Sequence, residues 1–243
     1  MKSIQKISFV FVTISLLVSC NNKQAGSSFI DDPSSAVCVW DKVSLKETPE
    51  DNARWVTSLS LGEQCSSLNE SKVDNSGKKP VSYSKVKLKD GKEGWVQSDL
   101  VIMHSKPGAI IQETDIYTRP DLLTKSKVAF SPMDIVAVKS EQGDFIEVTG
   151  KRKTGKWIEN GWIKSTNVSY ASVDIALASY AVKAVAVTDK NNRIDAIKEL
   201  LKNTDFSTSV FMDKLKNMVD SLSSANKPGM DMGAQLPDSE MKK

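Results

Sequence analysis

The chain has 243 residues, with 33 lysines and arginines against 30 aspartates and glutamates, and a formal net charge of +3. Acids and bases are interspersed rather than blocked, so nothing electrostatic points to nucleic acid as a partner. The length allows two small domains with an appendage and does not require one large core.

The N-terminus opens with the basic residues Lys2 and Lys6, followed by an apolar run from Ile7 to Val18 that is too short to span a bilayer. It closes on Leu17-Val18-Ser19-Cys20, a small-residue site ending in cysteine. This segment resembles a bacterial lipoprotein signal with its lipobox. The resemblance implies that residues 1–19 are removed as a signal peptide and that Cys20 is the lipidation site, carrying acyl chains such as palmitate. The membrane is then a partner through the N-terminal lipid. Localisation follows as the cell envelope, lipid-anchored on the periplasmic face or the cell surface, with the outer membrane expected. Loss of Lys2 and Lys6 would bring the charge from +3 to +1. After Cys20, residues 20–35 are rich in Asn, Ser, Lys, Gly and Asp with little to bury, the composition of a flexible tether. Later in the chain Val182–Val187 is apolar but brief, and it begins beside Lys183, so no second membrane contact is expected.

Between the tether and residue 170 the chain repeats itself. Val43-Ser44-Leu45-Lys46 aligns with Ile116-Tyr117-Thr118-Arg119, and Gly94-Trp95-Val96-Gln97-Ser98 with Gly161-Trp162-Ile163-Lys164-Ser165, in the same order. Between these anchors the first copy alternates over Gly62–Leu68 and Ser84–Leu88, and the second over Asp134–Val138 and Phe145–Val148. A period of two predicts strands with one buried face. Turn residues separate them at Asp74-Asn75-Ser76-Gly77, Asp90-Gly91-Lys92, Gln142-Gly143-Asp144 and Lys153-Thr154-Gly155. Each copy therefore reads as about five short strands, the pattern of a small antiparallel barrel. The apolar-x-apolar-basic first strand and the closing Gly-Trp-apolar resemble bacterial SH3 domains. That resemblance covers about residues 36–170 and implies two SH3-like β-barrels in tandem, at 36–104 and 108–170. The arcs after the first strand depart from the family pattern: Thr48-Pro49 stands where Gly-Pro is usual, and the second copy has Pro120-Asp121-Leu122.

Lipidation of Cys20 would leave Cys38 and Cys65 as a pair in a compartment where disulfides persist. The repeat aligns Cys38 with Ile111 and Cys65 with Ile135, so both thiols are expected to face a barrel interior. A disulfide between them is expected, with two buried thiols as the alternative.

From Ser172 onward Pro and Gly vanish until Pro228. Asp174–Val187, Asn192–Lys202 and Ser209–Leu222 carry apolar residues at spacings of three and four and predict amphipathic helices, the third capped by Ser207 or Thr208. The fold class expected is thus mainly β with an α appendage, a helical module at 171–224 and a disordered tail at 225–243.

No catalytic constellation is found. The only histidine, His104, lies in the linker before Pro107-Gly108, without neighbours for a triad or a zinc site. The domains that accompany such barrels in cell-wall cysteine peptidases would need a nucleophilic cysteine and a downstream histidine, and neither follows the repeats. No phosphate-cradling glycine loop follows a strand. Neither a cofactor nor a metal is expected. Trp95 and Trp162 are expected to pack their barrels. Tyr117, beside Arg119, is expected to point outward and, with Trp157, to line a shallow ligand-binding groove, for which Trp40 and Trp55 are the counterparts in the first copy. The function expected is that of a non-enzymatic envelope lipoprotein binding cell-wall peptide, that is peptidoglycan, or a protein segment. The alternatives are a structural or assembly subunit docking an envelope protein, and an accessory to a cell-wall hydrolase.

Overall fold

The computed structural model describes residues 32–153 and 155–224; the expected signal peptide, Cys20, most of the tether and the expected tail lie outside the described residues. The protein is mainly β, with fourteen described strands in two antiparallel sheets and three helices after them. The first sheet comprises β1 (Ser35–Cys38), β2 (Val43–Lys46), β3 (Trp55–Leu59), β4 (Gln64–Asp74), β5 (Val81–Leu88), β6 (Glu93–Gln97) and β7 (Val101–Met103). The second comprises β8 (Lys106–Ile110), β9 (Thr114–Tyr117), β10 (Lys125–Phe130), β11 (Ile135–Gln142), β12 (Phe145–Lys151), β13 (Ile158–Lys164) and β14 (Val168–Ser169). Their spatial orders, β3-β2-β6-β5-β4-β1-β7 and β10-β9-β13-β12-β11-β8-β14, map strand for strand. Each sheet therefore has seven strands rather than about five, because the short entry and exit strands pair at one margin.

Hydrogen bonds fix the equivalence of the two copies. Cys38 N donates to Glu63 O as Ile110 N does to Asp134 O, and Val39 N donates to Leu100 O as Ile111 N does to Asn167 O. Cys38 thus corresponds to Ile110 rather than Ile111, and Cys65, opposite Ala36, to Val136, opposite Gly108, rather than to Ile135. Likewise Trp95 pairs with Lys46 and Trp162 with Tyr117. The counterpart of Val43–Lys46 is therefore Thr114–Tyr117, two residues before the segment the sequence alignment selects. A slip of two keeps the same face buried, so the period-two pattern cannot detect it.

The Gly-Trp signature has a steric cause. A Cβ on Gly94 would lie 2.6 Å from the Lys46 carbonyl oxygen, and one on Gly161 would lie 2.5 Å from Ile116 Cγ2 and 2.8 Å from the Tyr117 carbonyl oxygen. Only glycine lets the closing strand cross the first strand that closely. At the turn into β4 and β11 the copies differ: Gly62 has φ +80°, while the equivalent Met133 holds φ +71° with a side chain. Methionine in that region is strained and needs surrounding packing to hold it there. Met133 is buried with Ile135 beneath the helices.

Inner and outer faces go to different clusters. Ala36, Cys38, Leu45, Leu59, Cys65, Val86 and Val96 fill the first inner face, and Ile110, Ile116, Phe130, Val136, Ile146 and Ile163 the second. On the outer side Val37 and Val39 pack with Ala137, Ile102 and Ile158, joining the sheets back to back. The outer side of the second sheet, Ala109, Met133 and Ile135, packs with the helical cluster.

The helices are α1 (Ser172–Val185), α2 (Lys190–Lys202) and α3 (Met212–Ser224). Leu177, Ala178, Ala181 and Ala184 form the buried stripe of α1, with small residues that allow close approach to the sheet. Asp189 caps α2 by accepting from Asn192 N at 2.8 Å. The third helix starts three residues later than expected, after a 3₁₀ turn at Thr204–Phe206, so neither Ser207 nor Thr208 is adjacent to its first turn. Ser209 instead donates its hydroxyl to the buried Asp174 carboxylate at 2.6 Å, and Ser169 Oγ and Val210 N donate to the same group at 2.5 and 3.0 Å. One carboxylate thereby ties β14, α1 and the approach to α3 together.

Candidate functional site

The chain crosses from the first sheet to the second at His104-Ser105, where His104 is exposed and has φ +50°. Beside the packed seam of Val37, Val39, Ala137, Ile102 and Ile158, the two sheets diverge into an open cleft of about 640 Å³. Trp40, Asp99, Leu100 and Ile102 line it from the first sheet, and Lys139, Thr149, Lys156, Trp157, Ile158 and Asn160 from the second. Trp40 lies two residues beyond the end of β1, and Trp157 sits on the loop leading into β13, with 77% of its surface exposed. A side chain of that size left in water covers no core and leaves an indole face free for stacking.

Polar groups in the cleft are ordered by their neighbours. Lys139 Nζ and Thr149 Oγ1 both donate to Asn160 Oδ1, at 3.2 and 2.8 Å, and Lys139 also pairs with Glu147. Since Lys139 can only donate, the carboxamide oxygen must face it, which leaves the NH2 of the exposed Asn160 as that side chain's remaining donor. On the other side of Trp40, the Lys151 ammonium lies 3.8 Å from the ring centroid, a cation–π contact that fixes the indole's orientation. The arrangement can stack a flat or extended apolar group on two indoles and offer it amide and ammonium donors.

The expected groove residues divide. Trp40 and Trp157 come together here, although they belong to different copies of the repeat. Tyr117 is not open to solvent: it is 8% exposed and packs edge-on against Phe145 at a centroid distance of 5.4 Å. The cause is the two-residue slip, since Tyr117 occupies the place of the half-buried Lys46 rather than the exposed Ser44. Arg119 is exposed on the β9–β10 loop, and Trp55 is 61% exposed on the marginal strand β3 with its Nε1 donating to Ser58 Oγ at 3.1 Å. Neither lines the cleft. Trp95 is buried as expected and Trp162 is half-buried. Lys139, Thr149 and Asn160 were not expected, and the one available signal was alternation: Ile158 and Asn160 share a face of the strand that follows Trp157.

Cys38 and Cys65 both face the first inner core, but as free thiols rather than the expected bridge. Cys65 lies opposite Ala36, so the two cysteines are diagonal rather than directly opposed. Diagonal neighbours sit about 7–8 Å apart between Cα atoms, beyond the usual span of a disulfide. Cys38 Sγ donates instead to Trp40 O at 3.1 Å. Burial pushes both thiols up to about 12, which keeps them protonated and unreactive at neutral pH.

Among the described residues no group of three or more His, Cys, Asp or Glu side chains could hold a metal ion, and no helix is long and apolar enough to cross a membrane.

Comparison with known proteins adds little. No family model matches the chain, and neither does any curated protein. Solved structures of NlpC2 and NlpC1 from Trichomonas vaginalis are similar to it at 14% and 15% identity, covering 68% and 60% of this chain. The TM-score is 0.24 for each, and the match spans about half of those chains, 55% and 48%. A superposition at that score carries neither fold nor activity across.

Proposed function

We propose that this protein is a non-enzymatic, lipid-anchored lipoprotein of the cell envelope. Its two sheets are tandem SH3-like barrels of the bacterial type, and they hold cell-wall peptide in the cleft between Trp40 and Trp157. The observation that carries this reading is the cleft itself: one exposed indole and one half-buried indole, contributed by different copies of the repeat, converge beside ordered amide and ammonium donors. A composite site of this kind gives a reason for two barrels joined back to back. A polymer offering many copies of one epitope would add avidity to a weak single contact. Anchoring through Cys20 would hold the cleft within reach of the wall.

Sedimentation with purified sacculi tests the reading. The intact protein is retained, and Trp157→Ala or Trp40→Ala weakens retention by roughly tenfold or more, as for a central aromatic anchor. Trp55→Ala, outside the cleft, leaves it unchanged. Absence of retention, with a stoichiometric envelope protein recovered by crosslinking in cells, would replace this reading with the assembly role. The anchor is tested separately: wild type partitions into detergent and Cys20→Ala does not.

A further inference from the structure

A second pocket lies on the far side of Trp40, where the first sheet, the second sheet and α1 meet. It has a volume of about 310 Å³, and Val39, Trp40, Leu61, Ile135, Val182 and Val185 make its apolar wall. We propose that this junction pocket binds a small amphipathic anion, a compact apolar body ending in a carboxylate or sulfonate, independently of the cleft at Trp157.

Size and bracing come first. The pocket is about twice the 150 Å³ cavity that admits a benzene ring, so a two-ring body or a medium-length alkyl chain fits. It also falls at the lower end of the range of small-molecule sites, about 300 Å³. Its walls are held apart rather than free to collapse. Ser179 Oγ of α1 donates to Leu61 O at 3.1 Å and Lys183 of α1 pairs with Asp41 at 3.4 Å, while the same helix packs with Ala109 and Ile135 of the second sheet. An apolar space fixed by three elements gains from an apolar occupant.

Charge selects the class of that occupant. Five charged residues border the pocket: Asp41, Asp134, Lys151, Arg152 and Lys153. Asp41 is engaged by Lys183. Both Asp134 oxygens are taken by backbone donors, Ser131 N at 2.8 Å and Lys153 N at 2.9 Å. Arg152 is held by Glu159 at 2.9 Å. That leaves the ammonium groups of Lys151, over the Trp40 face, and Lys153, which feels the charge of the Asp134 carboxylate but forms no ion pair with it within 4.0 Å among the described residues. An apolar body buried against Val182 and Val185 would place an anionic end between these two cations, whereas a cationic end would meet them with like charge.

The test uses the full chain and the fluorescent probe anilinonaphthalene sulfonate, an apolar ring pair with an anionic end. The folded protein enhances its fluorescence with saturation at one probe per chain. Octanoate displaces the probe at a concentration at least tenfold lower than octanol or octylamine. The double substitution Lys151→Glu, Lys153→Glu weakens octanoate at least tenfold and removes its advantage over octanol. Val182→Trp, which fills the pocket, abolishes probe binding; should it misfold, the charge-reversal pair still decides. Trp157→Ala leaves the probe bound. Equal competition by octylamine, an unchanged octanoate affinity after charge reversal, or loss of the probe on Trp157→Ala would each overturn the proposal. None of these outcomes depends on wall binding.

Discussion

The two sheets share strand order and hydrogen-bond pattern, yet their equivalent outer faces are covered by different things. Val37 and Val39 of the first sheet are covered by the second sheet, whereas the matching Ala109 and Ile111 of the second are covered by the helices. A strand framework of this size buries too little on one face to be robust alone, so each copy needs a lid on the back of its first strand. The second sheet is the lid of the first, and the helical module is the lid of the second. The residue opposite follows the cover: Gln64 stands half-exposed in the first sheet where the buried Ile135 stands in the second.

Below the crossing of the closing strand the copies differ again. The first has Lys46 with its ammonium 5.9 Å from the Tyr83 ring centroid, and the second has Tyr117 edge-on to Phe145. Tyr83 is 1% exposed and its hydroxyl has no hydrogen-bond partner, while its counterpart Phe145 has no hydroxyl to satisfy. One framework therefore tolerates either a cation over a ring or an aromatic pair in the same place, at the cost of an unsatisfied group in the first.

The largest expected effect tests the equivalence itself. Gly94→Ala and Gly161→Ala should each destabilise by about 3 kcal/mol, because the added Cβ meets backbone that cannot yield. Urea denaturation of both variants measures this; a large loss in one and none in the other would break the match between the crossings. Next in size is the tie on the helical lid. Asp174→Ala leaves three donors without their acceptor and should cost about 2–3 kcal/mol. Hydrogen exchange should then rise in α1 and the second sheet ahead of the inner strands of the first.

A smaller effect separates the two ring sites. Tyr83→Phe should stabilise by about 1 kcal/mol through removal of an unpartnered buried hydroxyl, whereas Phe145→Tyr should destabilise by a similar amount. Thermal melting of the pair checks both signs. A last effect is confined to alkaline pH. Cys38 and Cys65 are held up to about 12 by burial, so the folded chain keeps their protons above the ordinary thiol value of 9.0. Their contribution is present in full below pH 9.0 and is lost as pH rises toward about 12. Cys38→Ile with Cys65→Val, the residues of the second sheet, should remove the thiol share. Alkylation of unfolded, non-reduced protein lacking the Cys20 thiol should find two thiols per chain; none would mean that the diagonal pair closes after all.

Much of this architecture was legible along the chain. Alternation at 43–46 and 145–148 marked strands, the two Gly-Trp pairs marked a duplication, and the three- and four-residue spacing in 172–222 marked helices, because each depends on which face of a local element is apolar. Register was not legible. Val43-Ser44-Leu45 matches Thr114-Asp115-Ile116 and Ile116-Tyr117-Thr118 almost equally well, and only hydrogen bonds between strands distant in sequence choose the first. Tyr117 was misread as a surface aromatic for that reason, and the cysteines were matched to neighbours that face the helices instead of the core.

The division into a doubled β region and a helical end is written locally, in periodicity and turn chemistry within a few residues, although the short strands at the sheet margins left no such mark. Long-range packing brings Trp40 and Trp157 into one cleft, lets α1 close a second pocket behind Trp40, and sets Cys38 and Cys65 diagonally. Each of those depends on how one sheet's outer face packs on its neighbour, a choice made by long-range contacts that leave no periodic mark in the chain.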